Sequence, residues 1–134
     1  MEKFHRVALE VARAVARIIA LALDLKVEFF DQPEMLGEPI AILRLLHYEA
    51  GAHFDYGLIT LLATDGVSGL QICKDRDAKP QIWEDVPPLK GSNSLHADAC
   101  YFIVNLGDML ERWSNCIFKS TLHRVLVNGQ ERYS

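Results

Sequence analysis

Ala52-His53-Phe54-Asp55-Tyr56-Gly57-Leu58-Ile59-Thr60-Leu61-Leu62 is the stretch that decides the fold. Its density of aliphatic and aromatic residues marks β-structure, and Ala52 to Ala63 is expected to form one strand. Strand side chains alternate between faces, so His53 and Asp55, two positions apart, point the same way. A carboxylate turned inward needs a cation beside it. Alone, a His-x-Asp pair on a solvated strand is more commonly a simple hydrogen-bonded dyad. Downstream, however, Ser120-Thr121-Leu122-His123-Arg124-Val125 sets another histidine on a second expected strand, Ser120 to Asn128. Two imidazoles and one carboxylate on one face of an octahedral ion leave the opposite positions open, the arrangement of non-haem ferrous oxygen chemistry.

Arg132 and Ser134 fall on one face of a further strand that begins at Arg132. A planar guanidinium grips a carboxylate through two parallel hydrogen bonds, and a serine hydroxyl donates a third. The pair therefore suits the remote carboxylate of a 2-oxo acid that chelates the metal. A lysine does not copy that geometry. Taken singly, Arg132 reads as a surface ion pair and His123 as a satisfied core histidine; the four features together argue for a site.

Outward from these strands, Ile42 to Tyr48, Leu70 to Lys74, Gln81 to Val86 and Phe102 to Leu106 carry the same β signal. Turn pairs separate them: Asp65-Gly66, Ser68-Gly69, Pro87-Pro88, Lys90-Gly91, Gly107-Asp108 and Asn128-Gly129. Short strands at this density predict a jelly roll or sandwich rather than an alternating α/β sheet. Ahead of them, Val7, Val11, Ala14, Val15, Ile18, Ala22 and Leu25 recur at three- and four-residue steps and predict an amphipathic helix. Asp31, Pro33, Gly37 and Pro39 then break regular structure. Ser92 to Tyr101 is a polar interruption, expected to be an exposed loop. His96 and Asp98 within it repeat the His-x-Asp spacing without a flanking β run, so their faces are not fixed.

The totals narrow the class. A chain of 134 residues is one domain's worth, with half its residues hydrophobic and 24% charged, the ordinary mix of a folded protein. Fourteen basic against eighteen acidic side chains, with no Lys/Arg cluster, point away from nucleic acid. Cys73, Cys100 and Cys116 are odd in number and match no zinc spacing, so reduced thiols are expected. The apolar stretch Ala14 to Leu25, broken by Arg17 and Asp24, is far short of the ~20 residues that span a bilayer. Neither a membrane partner nor a signal peptide is expected, and the predicted compartment is the cytoplasm.

The ordered series resembles the plant-type family of iron(II)- and 2-oxoglutarate-dependent dioxygenases, in the superfamily that includes isopenicillin N synthase and aminocyclopropanecarboxylate oxidase. The likeness runs through the N-terminal helix, the expected strand Leu43 to Tyr48, His53 to Leu62, Gly69-Leu70-Gln71, Trp83-Glu84-Asp85-Val86-Pro87-Pro88, Val104-Asn105-Leu106-Gly107-Asp108, Trp113-Ser114-Asn115, Ser120 to Val125 and Arg132-Tyr133-Ser134. The resemblance implies a mainly β fold with an N-terminal α-helix, built on a double-stranded β-helix (jelly-roll) barrel. Residues 1–39 would be a helix and connecting segment packing on the barrel, and 40–134 its partial core. It implies His53, Asp55 and His123 as iron ligands, Arg132 and Ser134 as the 2-oxoglutarate pair, and Tyr48 as a further cosubstrate contact. Fe(II) and 2-oxoglutarate, with ascorbate as reductant, would then oxidise a small organic substrate with O2, by hydroxylation, desaturation or ring closure.

Departures from the family bear on this. Only Glu49, Ala50, Gly51 and Ala52 separate Tyr48 from His53. A straight strand would set the two about 17 Å apart on opposite faces, at ~3.3 Å per residue. A tight hairpin centred on Ala50-Gly51 is required to keep both in one pocket. Met1 opens inside the family's long helix, and Ser134 precedes its closing strands, so the barrel is expected to be incomplete at the C-terminus. Two other readings stay open: a catalytically impaired fragment or splice form with residual metal binding, and an oxidase on the same scaffold that consumes no 2-oxoglutarate.

Overall fold

The computed structural model describes residues 2–37, 39–47, 50–88, 101–126, 129 and 131–134. Two compact units result, Met1–Arg44 and Leu45–Ser134. Tyr48, Cys100 and the segment bearing His96 and Asp98 lie outside the described residues.

In the first unit the expected helix is α1, Glu2–Ala22. It stops in a Schellman cap: Asp24 takes φ 58°, while Leu25 N–H donates to Ala20 O at 2.9 Å and Asp24 N–H to Leu21 O at 3.1 Å. The buried face is Ala16, Ile19 and Ala20, whereas Val7 and Ile18 of the expected stripe are exposed. The helix is apolar on more than one stripe, so periodicity marks a helix here without choosing its inner face. Small Ala16 and Ala20 offer the closer approach, and α1 packs on the 3-10 turn Phe29–Asp31, whose Phe30 is buried. Arg17 Nε bonds Asp31 Oδ2 at 2.8 Å across that contact.

The second unit holds two antiparallel sheets. Strands β1 (Ala50–His53), β2 (Ile59–Leu62), β3 (Leu70–Asp75), β4 (Ile82–Asp85), β5 (Ile103–Leu106) and β6 (His123–Val125) divide into a four-stranded sheet, ordered β1-β6-β3-β4, and the pair β2-β5. The arrangement is the expected jelly roll. Between β5 and β6 runs the helix α2, Asp108–Trp113, whose Leu110 is wholly buried.

Five expectations need correction. The run from Ala52 to Ala63 is two strands in different sheets, because residues 54–58 leave the ladder and give their carbonyls to α2 instead. Gly107-Asp108 is the start of that helix rather than a turn between strands. Ala50 and Gly51 lie in β1, paired with β6, so no hairpin centres on them. Residues 42–47 form no strand, and the segment beginning at Arg132 makes single bridges: Leu46 and Ser134 exchange both backbone bonds, at 2.6 and 3.0 Å, and Asp65 N–H reaches Tyr133 O at 3.2 Å. Both segments are too short in register to extend a ladder further.

Cys73 and Cys116 are free thiols. Among the described residues, no helix is long and apolar enough to cross a membrane.

Candidate metal centre

His53 and His123 face each other because β1 is irregular. Ala50 pairs with Val125, and three residues along β1 His53 pairs with His123, only two residues along β6. The one extra residue is a bulge, and a bulge re-aims the side chain that follows it. Without it Ala52 would oppose His123, and His53 would turn to the other face. As it stands, the two rings lie 4.3 Å apart between centroids.

Each ring is oriented by its own strand. His53 Nδ1 lies 2.7 Å from Gly51 O, and His123 Nδ1 lies 2.9 Å from Thr121 O. A carbonyl oxygen only accepts, so Nδ1 is the donor in both rings, and the neutral tautomer this selects presents its lone pair at Nε2. Asp55 completes the group: its Oδ1 stands 3.9 Å from either Nε2. One ligand atom from each residue lies within 4.8 Å of the others.

Asp55 is not placed by strand alternation, since β1 ends at His53. Its backbone carbonyl accepts Asp108 N–H at 2.7 Å, and Gly57 O accepts Met109 N–H at 3.2 Å. The first helical N–H groups have no partner inside the helix, so α2 and the crossing segment satisfy each other. His123 is held from the far side of the same helix. Arg76 bonds Glu111 through Nη1 and Nη2 at 3.3 and 2.9 Å, and Glu111 Oε2 accepts Ser120 N–H at 2.6 Å, three residues before His123. Arg76 first, then the Ser120 amide, hold the Glu111 carboxyl below its usual range. The sequence signal for α2 was available: a glycine followed by Asp108 and Glu111 in the first turn and Arg112 in the last.

The donor set fits a cation better than it fits itself. Distances of 3.9 Å are beyond hydrogen-bond range, so the carboxylate and the two lone pairs converge without satisfying one another. Asp55 Oδ2 is buried with no hydrogen-bond partner among the described residues. Metal–ligand distances of about 2.0–2.2 Å put cis neighbours of an octahedron about 3 Å apart, so closing on an ion requires each side chain to move by a fraction of an ångström.

Arg132 and Ser134 are also brought together, with Arg132 Nη1 3.3 Å from Ser134 Oγ. Arg132 Nε and Nη2 are buried without partners among the described residues. Burial pulls this guanidinium below its ordinary value, with Asp65 offsetting part of the effect. Such a group remains a cation at neutral pH, and among the described residues no carboxylate bonds it. Tyr133, between them, faces the other way, and its ring stacks on His47 at 4.4 Å.

Comparison with known proteins agrees with this chemistry. The sequence model of the 2OG-Fe(II) oxygenase superfamily matches residues 38–134. Kihadalactone A synthase LFS of Citrus sinensis is 49% identical over 100% of this chain and 41% of its own length. Azadirone synthase LFS of Melia azedarach is 47% identical over the same shares, 100% and 41%. The chain thus spans about two fifths of the curated relatives it matches. Among solved structures, a C-terminally truncated Neurospora crassa protein in apo form superposes with a TM-score of 0.77 at 33% identity, over 98% of this chain and 46% of the other. JOX2 in complex with 2OG, Fe and JA superposes with a TM-score of 0.72 at 27% identity, over 98% and 38%.

Proposed function

The chain belongs to the 2OG-Fe(II) oxygenase superfamily, and from that premise we propose that His53, Asp55 and His123 hold Fe(II) while Arg132 and Ser134 hold the distal carboxylate of 2-oxoglutarate. The observation that carries the proposal is the convergence of Asp55 Oδ1 and two committed Nε2 lone pairs at 3.9 Å, beside a carboxylate oxygen with no other partner among the described residues. The reaction is an oxidation of a small organic molecule. When bound, the ferrous ion and its 2-oxo acid supply the activation of O2 that no side chain provides.

The protein's own residues do the rest. The Gly51 and Thr121 carbonyls fix the tautomers that leave Nε2 free to ligate. Two histidines and one carboxylate would hold the ion from one side and would leave room for a chelating cosubstrate and O2. The unpartnered Nε and Nη2 of Arg132 supply the two parallel donors a carboxylate needs, and Ser134 Oγ a third. The two plant relatives carry the names of kihadalactone A and azadirone synthases. Their identity of 49% and 47% supports a substrate of comparable small-molecule character.

Anaerobic addition of Fe(II) and 2-oxoglutarate is expected to give the visible metal-to-cosubstrate absorption band, and admission of O2 to give succinate. An absent band and absent succinate would refute the proposal. Arg132→Lys is expected to weaken 2-oxoglutarate by about tenfold or more while metal affinity stays unchanged, because an ammonium cannot form the two parallel bonds.

A further inference from the structure

We propose that Gly107 is a positioning residue for the metal-binding carboxylate: by carrying no side chain it lets the first turn of α2 close onto residues 55–58 and so sets where Asp55 aims. The inference rests on the metal site proposed above.

The crossing segment that bears Asp55 has no strand partner of its own and is clamped from one place. Gly107 N–H donates to Leu58 O at 3.0 Å, Asp108 N–H to Asp55 O at 2.7 Å and Met109 N–H to Gly57 O at 3.2 Å. Three consecutive amides thus grip three of the four carbonyls of residues 55–58. The grip has no room for one more carbon. A Cβ on Gly107 would overlap the carbonyl oxygen of Gly57, and stand 2.8 Å from that carbonyl carbon and 2.9 Å from Asp55 O. All of these are backbone atoms, which cannot rotate aside as a side chain would. The constraint is one of space rather than of backbone conformation, since Gly107 sits at φ −101° and ψ 172°, extended geometry open to any residue.

Adding a methyl group therefore forces α2 and the crossing segment apart. Asp55 is the ligand carried on that segment, and metal coordination tolerates errors of only about 0.2 Å. His53 and His123 stay paired with each other through the β1–β6 ladder, and the one tie from α2 towards His123, Glu111 Oε2 to the Ser120 amide, runs through a side chain that can turn to follow the shift. The expected result is a three-ligand site reduced to two.

Co2+ titrated into the full chain, read by calorimetry and by the d–d absorption of the bound ion, tests this alongside thermal unfolding. Gly107→Ala is expected to lose about tenfold to 100-fold in Co2+ affinity, the scale seen when support for a ligand is removed. Asp108→Pro attacks the same contact differently. Proline is accepted at the first helical position, and the extended residue before it is what proline requires, so α2 survives while the donor to Asp55 O is gone. The same loss is expected, with the same altered absorption. Leu110→Ala, which hollows the core beneath α2 and leaves the clamp intact, is expected to lower Tm at least as much yet keep Co2+ affinity within about twofold.

Normal affinity in both Gly107→Ala and Asp108→Pro would overturn the inference, as would a loss in Leu110→Ala that tracks Tm. If Gly107→Ala does not fold, Asp108→Pro decides alone. A parent chain that takes up no Co2+ refutes the metal site itself, and the inference with it; silence of the parent rather than of the variants identifies that case.

Discussion

His53 and His123 are alike in chemistry and unlike in setting. Both donate Nδ1–H to the carbonyl two residues back, and both turn Nε2 to Asp55 at 3.9 Å. Yet the His123 side chain is 6% exposed, on a strand paired on both sides, whereas that of His53 is 45% exposed, on the strand at the end of the sheet order. One of the two proposed ligands is built into the core and the other is presented from a margin. A metal site need not be uniformly rigid: a fixed half can define the geometry, and a half with solvent at its back can adapt to it.

Removing each ligand in turn separates these roles and has the largest effect. His53→Ala and His123→Ala are each expected to cost more than about 100-fold in metal affinity, beyond what loss of a supporting contact costs. Only His123→Ala should also unfold earlier, by about 1–3 kcal/mol, because it empties a buried position. Without metal, His53→Ala should stay within about 0.5 kcal/mol of the parent. Equal losses of Tm in the two variants would break the comparison.

Next in size is the support that only the core half receives. Glu111→Ala strips the Ser120 amide of its acceptor and leaves Arg76 unpaired, which should cost about 2 kcal/mol by thermal unfolding.

Acid gives a smaller and graded version of the same effect. The Glu111 carboxyl is depressed from 4.5 by Arg76 and the Ser120 amide, and Asp65 from 3.8 chiefly by the Val67 amide. A carboxyl lowered on folding binds fewer protons in the native state, so its stabilisation is complete above the unfolded value and lost as pH falls through the folded one. Tm is therefore expected to drop as pH is lowered below about 4.5, and Glu111→Gln should flatten that slope.

The smallest expected effect sharpens the comparison from the other side. A Cβ at Gly51 would meet nothing within 4 Å. Gly51→Ala should leave Tm unchanged or raise it by up to about 1 kcal/mol of stability, through the lower entropy of the unfolded chain. A clear loss would show the margin to be packed after all.

The first helix and the strands β3, β4, β5 and β6 were legible, because helix periodicity and strand-with-turn punctuation are local, whereas α2 and the split of the run from Ala52 to Ala63 were missed. His53, Asp55 and His123 could be picked out as a convergent set, and the structure does bring them together. The means of convergence was not legible. A two-residue spacing suggested one strand with two neighbours on one face; instead a bulge aims His53, and a helix cap aims Asp55 from a crossing segment. Both depend on pairing partners some 50 to 70 positions away, which no local pattern records. The inner face of α1 was hidden for a different reason: more than one apolar stripe was available, and packing chose the one with small alanines.

Arg132, Tyr133 and Ser134 alternate, an exposed ring between two half-buried polar side chains. The outward ring of Tyr133 rests on His47, while its neighbours on either side turn their polar groups toward each other. An aromatic stack at the surface thus shares three consecutive residues with the cationic fork proposed to grip 2-oxoglutarate, so His47→Ala is a substitution away from that fork that is expected to disturb its aim.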